Sequence, residues 1–251
     1  MKKFIFSIVF SISLVAFGQK KIHVFVALCD NINQGIVPVS KSLGNGQNPQ
    51  TNLYWGALYG VKTYLKQSKE WNLVKVIPSK NAKILESLLF KHTNSDTYLL
   101  AQAYDGKYIK ETTIDFLQAS SGKNSVEIQI KNKKLSFGGN ADLIAYVGHD
   151  GLMEFDLDMK FNPQNKKKRD VIILACVSKA YFTPYIQQTG ANPLVWTTGL
   201  MSPEAYTLKS AIEGWIKNES DAEIRERAVK AYHQYQKCGM RGARGLLVTG
   251  Y

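Results

Sequence analysis

Two apolar runs of strand length decide the fold. The first, Asp142-Leu143-Ile144-Ala145-Tyr146-Val147, leads into Gly148-His149-Asp150-Gly151, and the second, Asp170-Val171-Ile172-Ile173-Leu174-Ala175, leads into Cys176-Val177-Ser178. Neither run alternates polar with apolar residues. A strand without alternation is covered on both faces, and such strands belong to parallel sheets flanked by helices. The chain between the two runs exceeds the dozen or so residues that a parallel crossover needs. His149 and Cys176 are therefore expected at the same sheet edge, the carboxyl edge, where open α/β sheets place their ligand sites.

Outward from these runs, the chain alternates strand and helix patterns. Ile22 to Leu28 reads as a first buried strand ending at Cys29-Asp30-Asn31, and Leu194 to Thr198 as a late one. The polar loop from Asn31 to Gln50 has no period and is longer than connecting loops usually are, which marks it as functional. Helical spacing appears over 52–67, 82–89, 111–118 and 203–217, and from Ser220 to Lys237, where Ser220-Asp221-Ala222-Glu223 forms a capping box. Trp71 to Ile77 reads as a strand, Tyr98 to Tyr104 as a strand or hairpin turning at Asp105-Gly106, and 126–137 alternates weakly. The expected fold is α/β, with an open, mostly parallel sheet flanked by helices.

Residues 1–18 combine a basic start, Met1-Lys2-Lys3, an apolar run from Phe4 to Phe17, and a small-x-small site at Ala16-Phe17-Gly18. That is the pattern of a secretory signal peptide, and the apolar run is shorter than the roughly 20 residues of a spanning helix. The expectation is an exported protein, periplasmic or extracellular, with one domain over 19–251 and no transmembrane segment after signal removal. The 251-residue chain carries a formal charge of +12, and losing Lys2 and Lys3 lowers it to +10. Export argues against nucleic acid as the partner of this basic chain, leaving anionic envelope surfaces or acidic substrates. The densest basic run, Lys166 to Arg169, is expected on a solvated loop.

Three cysteines, Cys29, Cys176 and Cys238, leave at least one thiol unpaired, and no Cys/His spacing indicates a zinc site, so neither a metal nor a cofactor is expected. A cysteine attacks a carbonyl as thiolate and needs a base or a charge partner, which a histidine supplies. Backbone N–H groups in a tight glycine-containing turn beside that histidine suit the oxyanion that develops.

An apolar strand ending in Gly-His149-Asp150-Gly151, followed by one ending in Ala175-Cys176, resembles the caspase-like cysteine peptidases, the group of caspases, gingipains, clostripain and legumains. Gly151 to Phe155 looks like the hairpin after that group's histidine, and Thr197-Thr198-Gly199 to Ser202 like its specificity loop. The resemblance implies a three-layer sandwich and a cysteine endopeptidase, a hydrolase that cleaves a peptide or protein substrate. It also implies a His149–Cys176 dyad working through a thioester. The oxyanion would be held by the main-chain N–H groups of Cys176 and of Gly151, or of Asp150, which stands between His149 and Gly151. Trp196, Thr197 and Thr198 would line the substrate groove. Two alternatives stay open: a non-catalytic caspase-like module that binds an envelope partner, and a class I amidotransferase-like enzyme, although Cys176 lacks the flanking glycines of that group.

Overall fold

The computed structural model describes residues 18–79 and 81–251, so the expected signal segment lies, except for Gly18, outside the described residues. In chain order the elements are β1 (Lys20–Ala27), α1 (Val61–Gln67), β2 (Trp71–Ile77), β3 (Ile84–His92), β4 (Thr97–Tyr104) and α2 (Ile109–Ser120). The hairpin strands β5 (Val126–Ile130) and β6 (Lys133–Phe137) follow, then β7 (Leu143–Val147), β8 (Asp170–Leu174), α3 (Ser178–Thr189) and β9 (Asn192–Thr197). The chain closes with α4 (Ala205–Ile216), α5 (Asp221–Gln236), α6 (Met240–Leu246) and β10 (Leu247–Val248).

Eight strands form one sheet in the order β10-β9-β8-β7-β1-β4-β3-β2. The five central strands, from β9 through β4, run parallel, and antiparallel strands close both margins. The continuous apolar runs are the central strands, every residue of β7 being buried. Side-chain alternation divides them between two cores. Leu143, Ala145, Val147, Ile172 and Leu174 face the layer of α1, α4 and α5. Ile144, Tyr146, Val171, Ile173 and Ala175 face α2 and α3. Each fully buried Leu or Ile contributes about 1.5–3 kcal/mol, which makes these strands the rigid support of whatever their ends carry. The β5–β6 hairpin extends the second layer, packing Ile128, Leu135 and Phe137 on Leu89 and Leu100. The three layers expected from the unalternated strands are therefore present.

Several local expectations need correction. Residues 84–92 form β3 rather than a helix, because the segment pairs with β2 on one side and β4 on the other, and that pairing overrides helix-forming composition. The expected helix over 52–67 shortens to α1, since Asn52 leaves helical geometry to clamp the end of β1. Its Oδ1 accepts from the Cys29 N–H at 3.1 Å, and its Nδ2 donates to the Cys29 carbonyl at 2.8 Å. Asp105-Gly106 makes no hairpin; Asp105 accepts from the Lys107 N–H and opens a 3-10 turn into α2. In the basic run, Arg169 is buried, donating to the carbonyls of Gly139 at 2.8 Å and Lys167 at 2.9 Å, so only its neighbours meet solvent.

Candidate functional site

The ends of β7 and β8 lie side by side. Val147 pairs with Leu174, and the Gly148 N–H donates to the Leu174 carbonyl at 3.1 Å, after which both chains step off the carboxyl edge. Gly148 needs its residue type here: its φ of 152° is one that L side chains rarely adopt, and an added Cβ would stand 2.7 Å from the Ala27 carbonyl oxygen of neighbouring β1. His149 and Cys176 are thus delivered to adjacent positions by two parallel strands.

Each is held by a different partner. The His149 imidazole Nε2 pairs with the Glu154 carboxylate, and Nδ1 has no hydrogen-bond partner among the described residues. The Tyr146 hydroxyl donates to the His149 carbonyl at 2.8 Å and fixes the main chain. Cys176 sits on the sharp turn from β8 into α3, one residue before the helix cap Val177, which adopts left-handed geometry at φ 51°. For a β-branched residue that geometry costs on the order of 1–3 kcal/mol, so the turn is imposed by its surroundings. Those surroundings are visible: the Val177 N–H donates to the Gly199 carbonyl at 2.8 Å, and the Ser178 N–H to Thr197 Oγ1 at 3.1 Å. The Cys176 sulfur lies between the main-chain groups of Met201, accepting from its N–H at 3.4 Å and donating to its carbonyl at 3.6 Å. No hydrogen bond joins His149 to Cys176 directly.

The remaining expected residues separate. Asp150 is fully buried and caps a 3-10 turn over Gly151–Met153, where a hairpin was expected, its Oδ1 accepting from the Leu152 N–H at 3.0 Å. Its Oδ2 is buried without a partner. Burial pushes this carboxyl up to about 7 against the pull of the Leu152 N–H, and the Glu154 charge adds to the rise. The main-chain N–H groups of Asp150 and Cys176 have no acceptor among the described residues, and Gly151 begins a helical turn, where the N–H is free by position. All three expected oxyanion donors are thus unoccupied. Trp196 is not on a groove wall; it is fully buried and donates to the Gly250 carbonyl at 3.0 Å. Thr197 is buried as well, its hydroxyl shared among Ser178 and the Ala175 carbonyl, so it braces the cysteine turn. Thr198 alone is exposed, and its hydroxyl donates to the Gly245 carbonyl at 2.7 Å.

Two participants, Glu154 and Tyr54, were missed by sequence reasoning, whereas Cys29 stands at the end of the first strand, buried near the site edge, as its place in the sequence suggests. Glu154 holds the imidazole and also accepts from the Gly35 N–H at 2.7 Å, which docks the long loop after β1 onto the histidine. Its signal was an acidic residue one short turn after His149. Cys29 and Tyr54 meet beneath the site: burial pushes the Cys29 thiol up to about 11, with the Tyr54 hydroxyl bonding to it and opposing the rise. Tyr54 lies close enough to both Cys29 and Cys176 to feel their charge, and its hydroxyl is raised well above the usual range, chiefly by burial.

A cavity of about 980 Å³ opens at the opposite, amino-terminal end of the sheet beside Lys20, His92, Glu213 and Tyr235. Several of its charged groups are already engaged. His92 pairs with Glu213 at 3.2 Å, Lys209 with Glu70 at 3.0 Å, and Lys20 donates to the Trp215 carbonyl at 2.9 Å. Size alone therefore does not make it the reactive site; the unpaired imidazole nitrogen and the thiol lie at the other end. Among the described residues, no group of three His, Cys, Asp or Glu is placed to hold a metal ion, and no helix is long and apolar enough to cross a membrane. Compared with known proteins, the chain matches no family model, no curated protein and no solved structure.

Proposed function

We propose that the protein is an exported cysteine endopeptidase of caspase-like kind, with Cys176 as nucleophile, His149 as acid–base and Glu154 as the group that orients His149. The observation that carries this reading is the pair of adjacent parallel strands that end in a carboxylate-held histidine and in a cysteine at a helix amino terminus. A helix amino terminus and an imidazolium are the surroundings in which an anionic sulfur reacts. In the first step the sulfur attacks the scissile carbonyl, the C–N bond breaks, and His149 gives its proton to the leaving amine, leaving a thioester. Water then attacks the thioester, losing a proton to His149, and the C–S bond breaks to release the acid and restore the thiolate beside a protonated His149. The free N–H groups of Asp150, Gly151 and Cys176 supply hydrogen bonds for the oxyanion in both steps.

One observation favours a second reading, a binding module without chemistry: the buried carboxyl of Asp150 lies next to the position where an oxyanion would develop. The deciding experiment is labelling by an acyloxymethylketone probe together with cleavage of a mixed peptide pool. Labelling confined to Cys176, lost in Cys176→Ala, and a cleavage rate lowered roughly 10²–10⁴-fold in His149→Ala are expected of the peptidase. Equal, slow labelling of every thiol and an uncut pool would assign the molecule to the second reading.

A further inference from the structure

The wall of the cavity at the amino end of the sheet carries a serine, a histidine and a glutamate joined in one chain of hydrogen bonds. Ser95 Oγ lies 2.9 Å from His92 Nδ1, and His92 Nε2 lies 3.2 Å from Glu213 Oε2. An ionised carboxylate only accepts, so the proton of the neutral imidazole sits on Nε2, and Nδ1 is left as the acceptor for the Ser95 hydroxyl. Thr97 Oγ1, 2.9 Å from Ser95 Oγ, is a second acceptor to which that hydroxyl turns when the imidazole is protonated. Each member of the chain is held from outside. Glu213 Oε1 accepts from the Trp71 indole N–H at 3.2 Å, with Lys209 Nζ 3.9 Å from the same oxygen. The His92 ring is buried and packs edge-on against Trp71, the ring centroids 5.1 Å apart. Ser95 lies in the turn 93–96 between β3 and β4, which is pinned on both sides: the Thr93 N–H donates to the Glu70 carbonyl at 2.9 Å, and the Asp96 carbonyl accepts from the Lys20 N–H at 3.1 Å.

The second observation concerns the main chain. The N–H groups of Asn94, Ser95 and Asp96 have no acceptor among the described residues, and all three residues line the cavity. A hydroxyl backed by a general base, with free amides beside it, is the arrangement that acyl transfer requires. The cavity, about 980 Å³, has the size of a small-molecule site, and Tyr64, Tyr206, Ile216, Ala231 and Tyr235 give it an apolar and aromatic lining. We propose that this cavity is a second catalytic site, separate from Cys176, which hydrolyses carboxylic esters of apolar or aromatic acids with Ser95 as nucleophile, His92 as acid–base and Glu213 as the residue that positions His92. Ser95 Oγ attacks the ester carbonyl while its proton passes to His92 Nδ1. The C–O bond to the alcohol breaks, and His92 gives that proton to the departing alkoxide, leaving an acyl-serine. Water then attacks the acyl group and loses a proton to His92. The bond to Ser95 Oγ breaks, the serine takes the proton back, and the acid is released.

The test uses full-length protein, unsubstituted and with Cys176→Ala, the latter to take the carboxyl end out of play. Each is treated with a fluorophosphonate probe and mapped by mass spectrometry, and the release of p-nitrophenol from its acetate, butyrate and phenylacetate esters is followed. The probe should sit on Ser95 of both folded proteins and on no serine in denaturing urea, a result that depends on no substitution at the site. On the Cys176→Ala background, ester turnover should be lost in Ser95→Ala and fall roughly 10²–10⁴-fold in His92→Gln. Glu213→Gln should lower kcat while KM holds, which the loss of a purely structural contact would not do. Divided by their rates in buffer, the butyrate and phenylacetate should exceed the acetate roughly tenfold or more in kcat/KM, as burial of the larger acyl group provides. Ser95 left bare in the folded protein, labelling of Ser95 undiminished in His92→Gln, or turnover that survives Ser95→Ala would overturn the inference, and equal corrected rates on the three esters would overturn its substrate class. Turnover present in the unsubstituted protein but absent from Cys176→Ala would assign it to the carboxyl end and overturn the second site while supporting the first. Turnover that depends on Ser95, with no peptide cut by the unsubstituted protein, would support the second site and remove the peptidase reading.

Discussion

Glu154 and Asp150 lie within five residues of His149, yet their surroundings give them opposite roles. Glu154 is partly open and bonds both the imidazole and the Gly35 N–H. Glu154→Gln keeps an oxygen for Gly35 and removes the charge, so it is expected to lower kcat roughly ten- to hundredfold with KM and thermal stability nearly unchanged, less than the 10²–10⁴ for losing the base itself. Steady-state kinetics on any cleaved peptide checks this, and an unaltered kcat would strip Glu154 of its positioning role. Asp150 is the reverse case, buried and half unpaired. Its folded-state carboxyl titrates near 7, above its ordinary unfolded value near 3.8, so between these values the unfolded chain is ionised while the folded one stays protonated. Stability attributable to this group is therefore full below about pH 4 and falls by a few kcal/mol as pH rises to about 7, where it levels off. His23, buried and lowered to about 3 by desolvation, slopes the other way: its neutral ring favours folding above its ordinary 6.5, and that contribution is lost as pH falls. Urea titrations of Asp150→Asn against the unsubstituted protein separate the two, because His23 cancels in the difference. The variant should gain relative stability steadily from pH 4 to 7, and a pH-independent difference would mean that Asp150 is ionised in the folded protein.

Elements were legible in proportion to how much of their burial is local to their own sequence. The runs Leu143–Val147 and Asp170–Leu174 are apolar at every position because both sheet faces are covered, and they appear almost residue for residue. Trp71–Ile77 was recovered from its β-branched composition although it is an edge strand exposed over most of its length. By contrast, β3 carries Leu and Glu in helix-compatible spacing, and only the strands on both sides of it hold it extended. Helix α3 went unread because Pro184 and a low apolar content hide it, whereas the crossover between two parallel strands requires it. Helix α5 was readable from its cap: Ser220 Oγ accepts from the Glu223 N–H at 3.4 Å, and the Glu223 carboxylate accepts from the Ser220 N–H at 2.8 Å. Ser220→Ala should cost about 1 kcal/mol in chemical denaturation, the usual value of such a cap, and Ser220→Asp should retain most of it. No loss in the alanine variant would mean that packing of Ile224, Ala228 and Val229 against α4 and the sheet holds the helix without help.

At the scale of the whole molecule the sheet has two chemically different ends. The amino end gathers paired charges around a large cavity, and the carboxyl end gathers the thiol, the imidazole, free amides and apolar loops. Strand order made the carboxyl end legible from the positions of His149 and Cys176, but not the residues that complete it. Glu154, Tyr54 and the Gly35 contact reach the site through loops whose course depends on tertiary docking rather than on any period in the sequence. The three free thiols sample this geometry at three depths, Cys29 being buried, Cys176 half-buried and Cys238 exposed. Exposure alone would make Cys238 react first with iodoacetamide. At pH 6 the order should instead be Cys176, then Cys238, with Cys29 silent, because Cys176 precedes the twelve-residue α3 beside the strand that leads into His149, whereas Cys238 precedes only the seven-residue α6 with the Nδ1 of its neighbour His233 already taken by the Gly239 N–H, and Cys29 is both enclosed and pushed up to about 11. Cys29 has to await opening of the central sheet, so its labelling rate should follow global unfolding and rise steeply in urea while that of Cys176 falls toward that of an ordinary thiol. Peptide mapping by mass spectrometry at timed intervals reads all three rates at once. Native-state labelling of Cys29 as fast as Cys238 would show that the carboxyl end of β1 is open, and Cys176 lagging behind Cys238 would leave the molecule without an activated nucleophile.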